Sequence, residues 1–249
     1  GIVGLVWFIF WNRNVTSYPN DHKRISSEEL AYIQENAPSS EPAKKIPLRE
    51  LLLNKPFLAI VAATFTNNWS LFVFLSFLPK FIDNELGIEL ESSIFVILII
   101  IPSIISVIAL NAGGYLADSL INNGMRIIKV RKTLNSIGFF GSAACLFMIP
   151  FFDSILIIMI LICITNLFAG AAAGGFGVNH ADIGPSTTGT LVGIASTFGM
   201  IAGVAGNAVS GYVLDITDSW LLVFHISGGL IVIGGLIYLF WASDQKQFD

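Results

Sequence analysis

The sequence predicts an all-α integral membrane protein, and three observations carry that prediction. Only 12% of its 249 residues are charged, against roughly 25% in soluble domains, and mean hydropathy is +0.76. There is too little charge to coat a soluble core of this length. Long apolar runs recur along the chain, each sufficient to cross a bilayer core that needs about 20 helical residues at roughly 1.5 Å apiece. The basic residues, finally, sort onto alternate connections between those runs. Continuous apolar length of this kind argues against strands, so the spans read as helices of a bundle.

The elements follow in order. Residues 1–12 (GIVGLVWFIFWN) are apolar but too short to span, and they have neither the basic start nor the cleavage site of a signal peptide. They read as the end of a helix whose beginning lies upstream, which makes the chain a fragment. Residues 13–55 form a polar stretch. Within it SSEELAYIQENA predicts a short surface helix capped by Ser26 or Ser27, with Glu28 and Glu29 in its first turn. PLRELLLNK reads as an amphipathic lead-in at the membrane interface. Spans are then expected at 56–79, 92–117, 133–152, 154–178, 189–214 and 220–242, with residues 243–249 as a polar tail.

Charge placement orients these spans. Arg13, Lys23, Arg24, Lys44, Lys45, Arg49 and Lys55 lie in the 13–55 stretch, Arg126, Lys129, Arg131 and Lys132 in the 118–132 connection, and Lys246 in the tail. An even number of spans separates these segments, so they share one side. Lys80 is the lone basic residue of the other side, which carries Asp83, Glu85, Glu89, Glu91, Asp153, Asp215 and Asp218. The positive-inside rule puts 13–55, 118–132, the 179–188 turn and the C-terminus in the cytoplasm.

Composition also excludes several function classes. A net charge of −4 argues against nucleic acid as a partner. Cys145 and Cys163 sit inside apolar runs without metal or disulfide spacing. No catalytic set, metal site or cofactor motif is expected.

Two motifs stand out. The first is Gly113-Gly114-Tyr115-Leu116-Ala117-Asp118, followed by a basic connection ending Arg131-Lys132. An acid at a helix end facing a basic loop is either a solvated boundary charge or a relay that latches one conformation, its glycines allowing close helix approach. The pattern resembles the G-x-L-a-D loop signature of the major facilitator superfamily, which recurs after the second and eighth helices. Six spans behind a long basic loop are similar to the C-terminal half of that fold. The resemblance implies a transporter half, with residues 1–12 as the end of helix six and 56–242 as helices seven to twelve.

The second motif is Asn179-His180-Ala181-Asp182-Ile183-Gly184-Pro185, with Gly193 and Ile194 beyond it. It resembles the anion:cation symporter branch, which takes in vesicular glutamate transporters, sialin and sodium–phosphate cotransporters. Asn68-Trp69, Pro79, Trp220 with Phe224, and the Ala242–Gln247 ending extend the resemblance along the chain. Physically, His180 and Asp182 can bond loose helix ends in a turn closed by Pro185, and a histidine can respond to pH. Gating and proton coupling both fit. A metal site would need more ligands, and His22 and His225 lie far off in sequence.

Polar groups at membrane depth are functional candidates because burying them is costly. Thr64, Asn67, Asn68 and Ser70 in the first full span, and Asn207 in the fifth, are the candidates for a substrate cavity. The superfamily resemblance implies that helix seven lines such a cavity. Vesicular glutamate transporters carry an arginine where this sequence has Asn67, so a cationic anchor is missing here. Asn166 and Asn207 are also read as interhelical contacts, and His225 as a packing residue. Gly170/Gly174, Gly189/Gly193 and Gly199/Gly203 have the four-residue spacing that lets helix backbones touch.

The resemblance thus implies secondary transport of an organic or inorganic anion by alternating access, coupled to H+, Na+ or membrane potential. The implied partners are the lipid bilayer, a small anionic substrate, a coupling cation and the missing N-terminal six-helix half. Gly114, Asp118, Arg131, Lys132, Asn179, His180, Asp182 and Pro185 are the expected gating residues. A receptor or scaffold on the same fold, or an intramembrane enzyme using His180 and Asp182, are the alternatives.

Overall fold

The computed structural model describes residues 1–22, 24–36, 46–89 and 91–248. Lys23, Lys44 and Lys45, three of the basic residues that orient the spans, lie outside the described residues. The chain divides into two compact units, Gly1–Ala43 and Lys44–Asp249. In the first, α1 (Ile2–Asn14) stacks Trp7 on Trp11 with ring centroids 5.0 Å apart. The expected surface helix is α2 (Ser27–Asn36). Ser26 is its cap, its Oγ accepting from the Glu29 backbone N–H at 3.1 Å.

Among its described residues, the second unit holds six helices long and apolar enough to cross a membrane. A short helix, α3 (Leu48–Leu53), leads in, burying Leu51 while Leu48, Leu52 and Leu53 stay exposed. Then follow α4 (Lys55–Asn84), α5 (Ser93–Asn122) and α6 (Ile127–Met148). Next come α7 (Ile155–Ala172), a π-helical turn (Ala173–Gly177) and α8 (Asn179–Ile183), which together make one span. The unit closes with α9 (Thr188–Thr217) and α10 (Trp220–Trp241). Among the described residues there is no strand.

Several helices run past the limits that hydropathy suggests. α4 continues through Pro79 to Asn84, and α5 continues past Asp118 to Asn122. α6 begins at Ile127, so Lys129, Arg131 and Lys132 stand on its first turns rather than in a loop. Asn179–Ile183 is likewise helical, not a turn. Hydropathy marks where the apolar layer ends, whereas a helix persists into the solvated zone as long as its backbone bonds continue.

The main packing runs in the order α9, α4, α10, α6, α7, α5. α5 is the least covered of these helices: 11% of its most apolar window is buried in this unit, against 50% for α4 and α6. The three spaced glycine pairs have three different surroundings. Gly170 and Gly174 meet α5 backbone to backbone: a Cβ on Gly170 would collide with Ala109, and one on Gly113 would collide with the Gly170 carbonyl. Gly199 and Gly203 instead receive α4 side chains, Asn68 and Phe72. Gly189 and Gly193 face open space.

Candidate functional site

The tail-side end of the second unit holds a dense polar network. It starts from the π-helical turn, where Gly175 has no side chain to keep α6 away, while Gly174 meets α5 at Gly113 and Ala117. A Cβ on Gly175 would meet the Arg131 carbonyl oxygen at 2.7 Å and Asn135 Cβ at 2.8 Å. A π-helical turn disturbs the i→i−4 ladder and leaves backbone groups to be satisfied from outside. Arg131, 7% exposed, does so: its Nη1 donates to the Gly174 carbonyl at 3.0 Å. Its Nε donates to Asp182 Oδ2 at 2.8 Å and its Nη2 to Asp182 Oδ1 at 3.3 Å. This is a bidentate, charge-assisted pair between α6 and α8.

Asn179 extends the network. It is fully buried, and its Nδ2 donates to Asp182 Oδ2 and to the Ser243 carbonyl, both at 3.0 Å. Its Oδ1 accepts from the hydroxyl of Tyr238, a fully buried residue of α10, at 3.0 Å. One amide therefore links α8, α10 and the tail, with the bonding capacity of its nitrogen used up.

The other expected gating residues stand apart. Asp118 is exposed at the end of α5, so the acid that meets Arg131 is Asp182. Gly113 makes the close approach to α7, while Gly114 has open space around it. His180 is buried, and neither ring nitrogen has a hydrogen-bond partner among the described residues. Lys132 is half-buried beside Arg131. Pro185 opens the short 3-10 turn Pro185–Thr187 that leads into α9.

A second polar band lies on α4. Thr64 and Ser70 are buried, and Asn67 and Asn68 are half-buried. Asn68 and Thr64 rest on α9 at Gly199, where any β-carbon would collide with the Asn68 amide. Thr64 Oγ1, Ser70 Oγ and Asn207 Oδ1 are buried without partners among the described residues. Thr66, by contrast, is turned to α10 at Gly234 and bonds the Ala62 carbonyl at 3.0 Å. Asn166 Nδ2 bonds its own helix at the Ile162 carbonyl, 3.0 Å away. His225 has a packing environment, with its Nδ1 2.6 Å from the Leu221 carbonyl oxygen and its ring beside Phe147 and Phe151.

The Major Facilitator Superfamily pattern matches residues 1–207 of this chain. The chain belongs to that superfamily. Its relatives include "Sodium-dependent phosphate transport protein 1, chloroplastic" from Arabidopsis thaliana, 34% identical over all of this chain and 48% of the relative. "Ascorbate transporter, chloroplastic", also from Arabidopsis thaliana, is 32% identical over all of this chain and 46% of its own length. Human "Sialin" is 30% identical over 99% of this chain and 50% of its own length. These are relatives of the anion:cation symporter branch. The chain spans about half the length of the curated relatives it matches.

In this member of the superfamily, sequence reasoning found Arg131, Asn179 and Asp182 but not the bonds among them. It missed Tyr238 and the π-helical turn, and it marked Ser243 only as part of the Ala242–Gln247 ending. Tyr238 carries a legible signal: it is the one phenol of the span 220–241, close to its end. Ser243 acts through its carbonyl, which no sequence pattern marks.

Proposed function

We propose that this chain is part of a secondary transporter that carries an organic or inorganic anion by alternating access, coupled to H+, Na+ or membrane potential. The Arg131–Asp182 pair carries this reading. A bidentate ion pair buried at the end of a membrane bundle is costly to assemble unless it is fully bonded. Here it closes α6 onto a span interrupted by a π-helical turn, which suits a latch made in one state and broken in another. Relatives named for phosphate and ascorbate transport support the same class of cargo.

In this reading Arg131, Asp182, Asn179 and Tyr238 form the latch. His180, Gly114, Asp118, Lys132 and Pro185 shape the moving ends around it. Thr64, Asn67, Asn68, Ser70 and Asn207 line the cavity side, supported by their polarity at membrane depth and by the unpartnered atoms of Thr64, Ser70 and Asn207. Asn67 is neutral, so the substrate's charge is met elsewhere, by groups of a second six-helix half. Residues 1–12 end that half's last helix, 13–55 form the central loop, 56–242 are the C-terminal half and 243–249 the tail. The basic bias puts loop and tail in the cytoplasm.

Uptake into proteoliposomes tests the proposal. The full-length protein should accumulate labelled phosphate, ascorbate or sialic acid when an ion gradient or potential is imposed. Conversion of the probe to a new product, or saturable binding with no flux under any gradient, would sink it. Residues 1–249 alone should give no flux.

A further inference from the structure

The tail beyond α10 does something the latch does not require. Residues 242–248 form no helix, yet they touch the ends of three helices. Asp244 Oδ2 accepts from the backbone N–H of Ile128 at 3.1 Å, in the first turn of α6. That helix has no side-chain cap from its own N-cap residue, so a carboxylate from 116 residues away supplies one, with the charge sign the helix N-terminus favours. The backbone N–H groups of Gln247 and Phe248 donate to the Ile183 carbonyl, at 2.7 and 3.3 Å, satisfying the end of α8. Gln247 Oε1 accepts from Asn54 Nδ2 at 3.0 Å, and Asn54 is itself the cap of α4. Phe248 is 5% exposed, its ring set edge-on to Phe57 of α4 at 6.4 Å. Its carbonyl accepts from Thr187 Oγ1 at 3.2 Å.

We propose that Ser243–Phe248 is a releasable strap that holds the tail-side ends of α4, α6 and α8 together, and that its release accompanies the separation of those ends. The second clause rests on the transport reading above; the first does not. The strap is held by side-chain caps, two backbone bonds to the Ile183 carbonyl, the bonds that its Ser243 and Phe248 carbonyls accept from Asn179 and Thr187, and a single buried ring. None of these is covalent or part of a regular element, so the segment can leave without unfolding a span. Phe248 acts as its anchor because it is the apolar residue at the end of the polar run Ser-Asp-Gln-Lys-Gln.

Thiol labelling tests the strap. Thr187, 2% exposed, lies under it, and Ser227, 1% exposed, lies in α10 away from it. Each is changed to cysteine in the full chain carrying Cys145→Ala and Cys163→Ala, in membranes, and labelled with a maleimide. Phe248→Ala should speed labelling of Thr187→Cys about tenfold by favouring local opening, while Ser227→Cys stays slow. Asp244→Ala should act in the same direction, and Phe248→Leu should remain slow. Unchanged labelling of Thr187→Cys overturns the strap. So does equal acceleration at both sites in both Phe248→Ala and Asp244→Ala, because that is general loosening. Phosphate uptake by the full-length protein separates the two clauses. Faster labelling with unaltered flux overturns the role in transport and leaves the strap standing. If the unaltered protein moves no anion, the transport reading fails and labelling alone decides the strap.

Discussion

At the tail-side end, α4, α6, α8 and α10 meet through an ion pair, a saturated amide, a phenol and a strap of polar tail residues. At the far end α4 and α10 meet through rings. Phe81 packs edge-on to both Trp220 and Phe224 with centroids 5.1 Å apart, and Phe74 sits 5.9 Å from Phe224. A cavity of about 10 Å³ lies among these side chains. The contrast teaches how each end can move. Rings hold by many small dispersion contacts that fade gradually with separation. A bonded charge pair holds by geometry: intact it is satisfied, and half-broken it leaves a buried charge. On the transport reading proposed above, the polar end suits two discrete states and the aromatic end a fixed pivot.

The largest expected effect breaks the polar end. Asp182→Ala strands the buried Arg131 guanidinium and should lower stability by about 3–5 kcal/mol in thermal unfolding in detergent. Replacing both partners, Arg131→Met with Asp182→Leu, should recover most of that loss. If the double variant is no better than the single one, the pair is not the unit that holds this end. Phe81→Ala comes next, at about 2 kcal/mol, below the usual core value because lipid takes away the transfer term and leaves mainly lost packing. Unlike Asp182→Ala, it should leave the labelling of Thr187→Cys unchanged. Tyr238→Phe should cost about 1–2 kcal/mol by leaving Asn179 Oδ1 buried with one bond fewer. A shift as large as that of Asp182→Ala would show that the phenol, not the ion pair, dominates. Smallest are Gly189→Ala and Gly193→Ala, whose β-carbons meet nothing within 4 Å; each should stay within about 0.5 kcal/mol. Gly170→Ala, by contrast, should destabilise measurably, since its β-carbon runs into Ala109.

Legibility in the sequence differed between these regions. Six spans were readable because apolar length is a one-dimensional property. Their ends were not, because Lys129 and Arg131 stop an apolar run without stopping a helix. Asp182 and Asn179 stand out in the sequence, yet the acid that the motif sets beside the basic connection ending Arg131-Lys132 is Asp118, which is nearer in the chain. The chosen partner lies 51 residues away and is delivered by a π-helical turn that local sequence does not announce. Identical glycine spacing likewise led to three unlike surroundings, since spacing says which residues share a helix face and not what that face meets.

By itself the sequence determined an all-helical membrane chain, its superfamily and the residue types available for a latch. Those follow from hydropathy, charge order and local motif, all of which are read along the chain. Only the tertiary structure decided that Arg131 meets Asp182, that Tyr238 and Ser243 share Asn179, and that the tail caps helices it does not follow. Those choices depend on which helix ends lie side by side, and in a bundle that is set by packing between elements far apart in sequence.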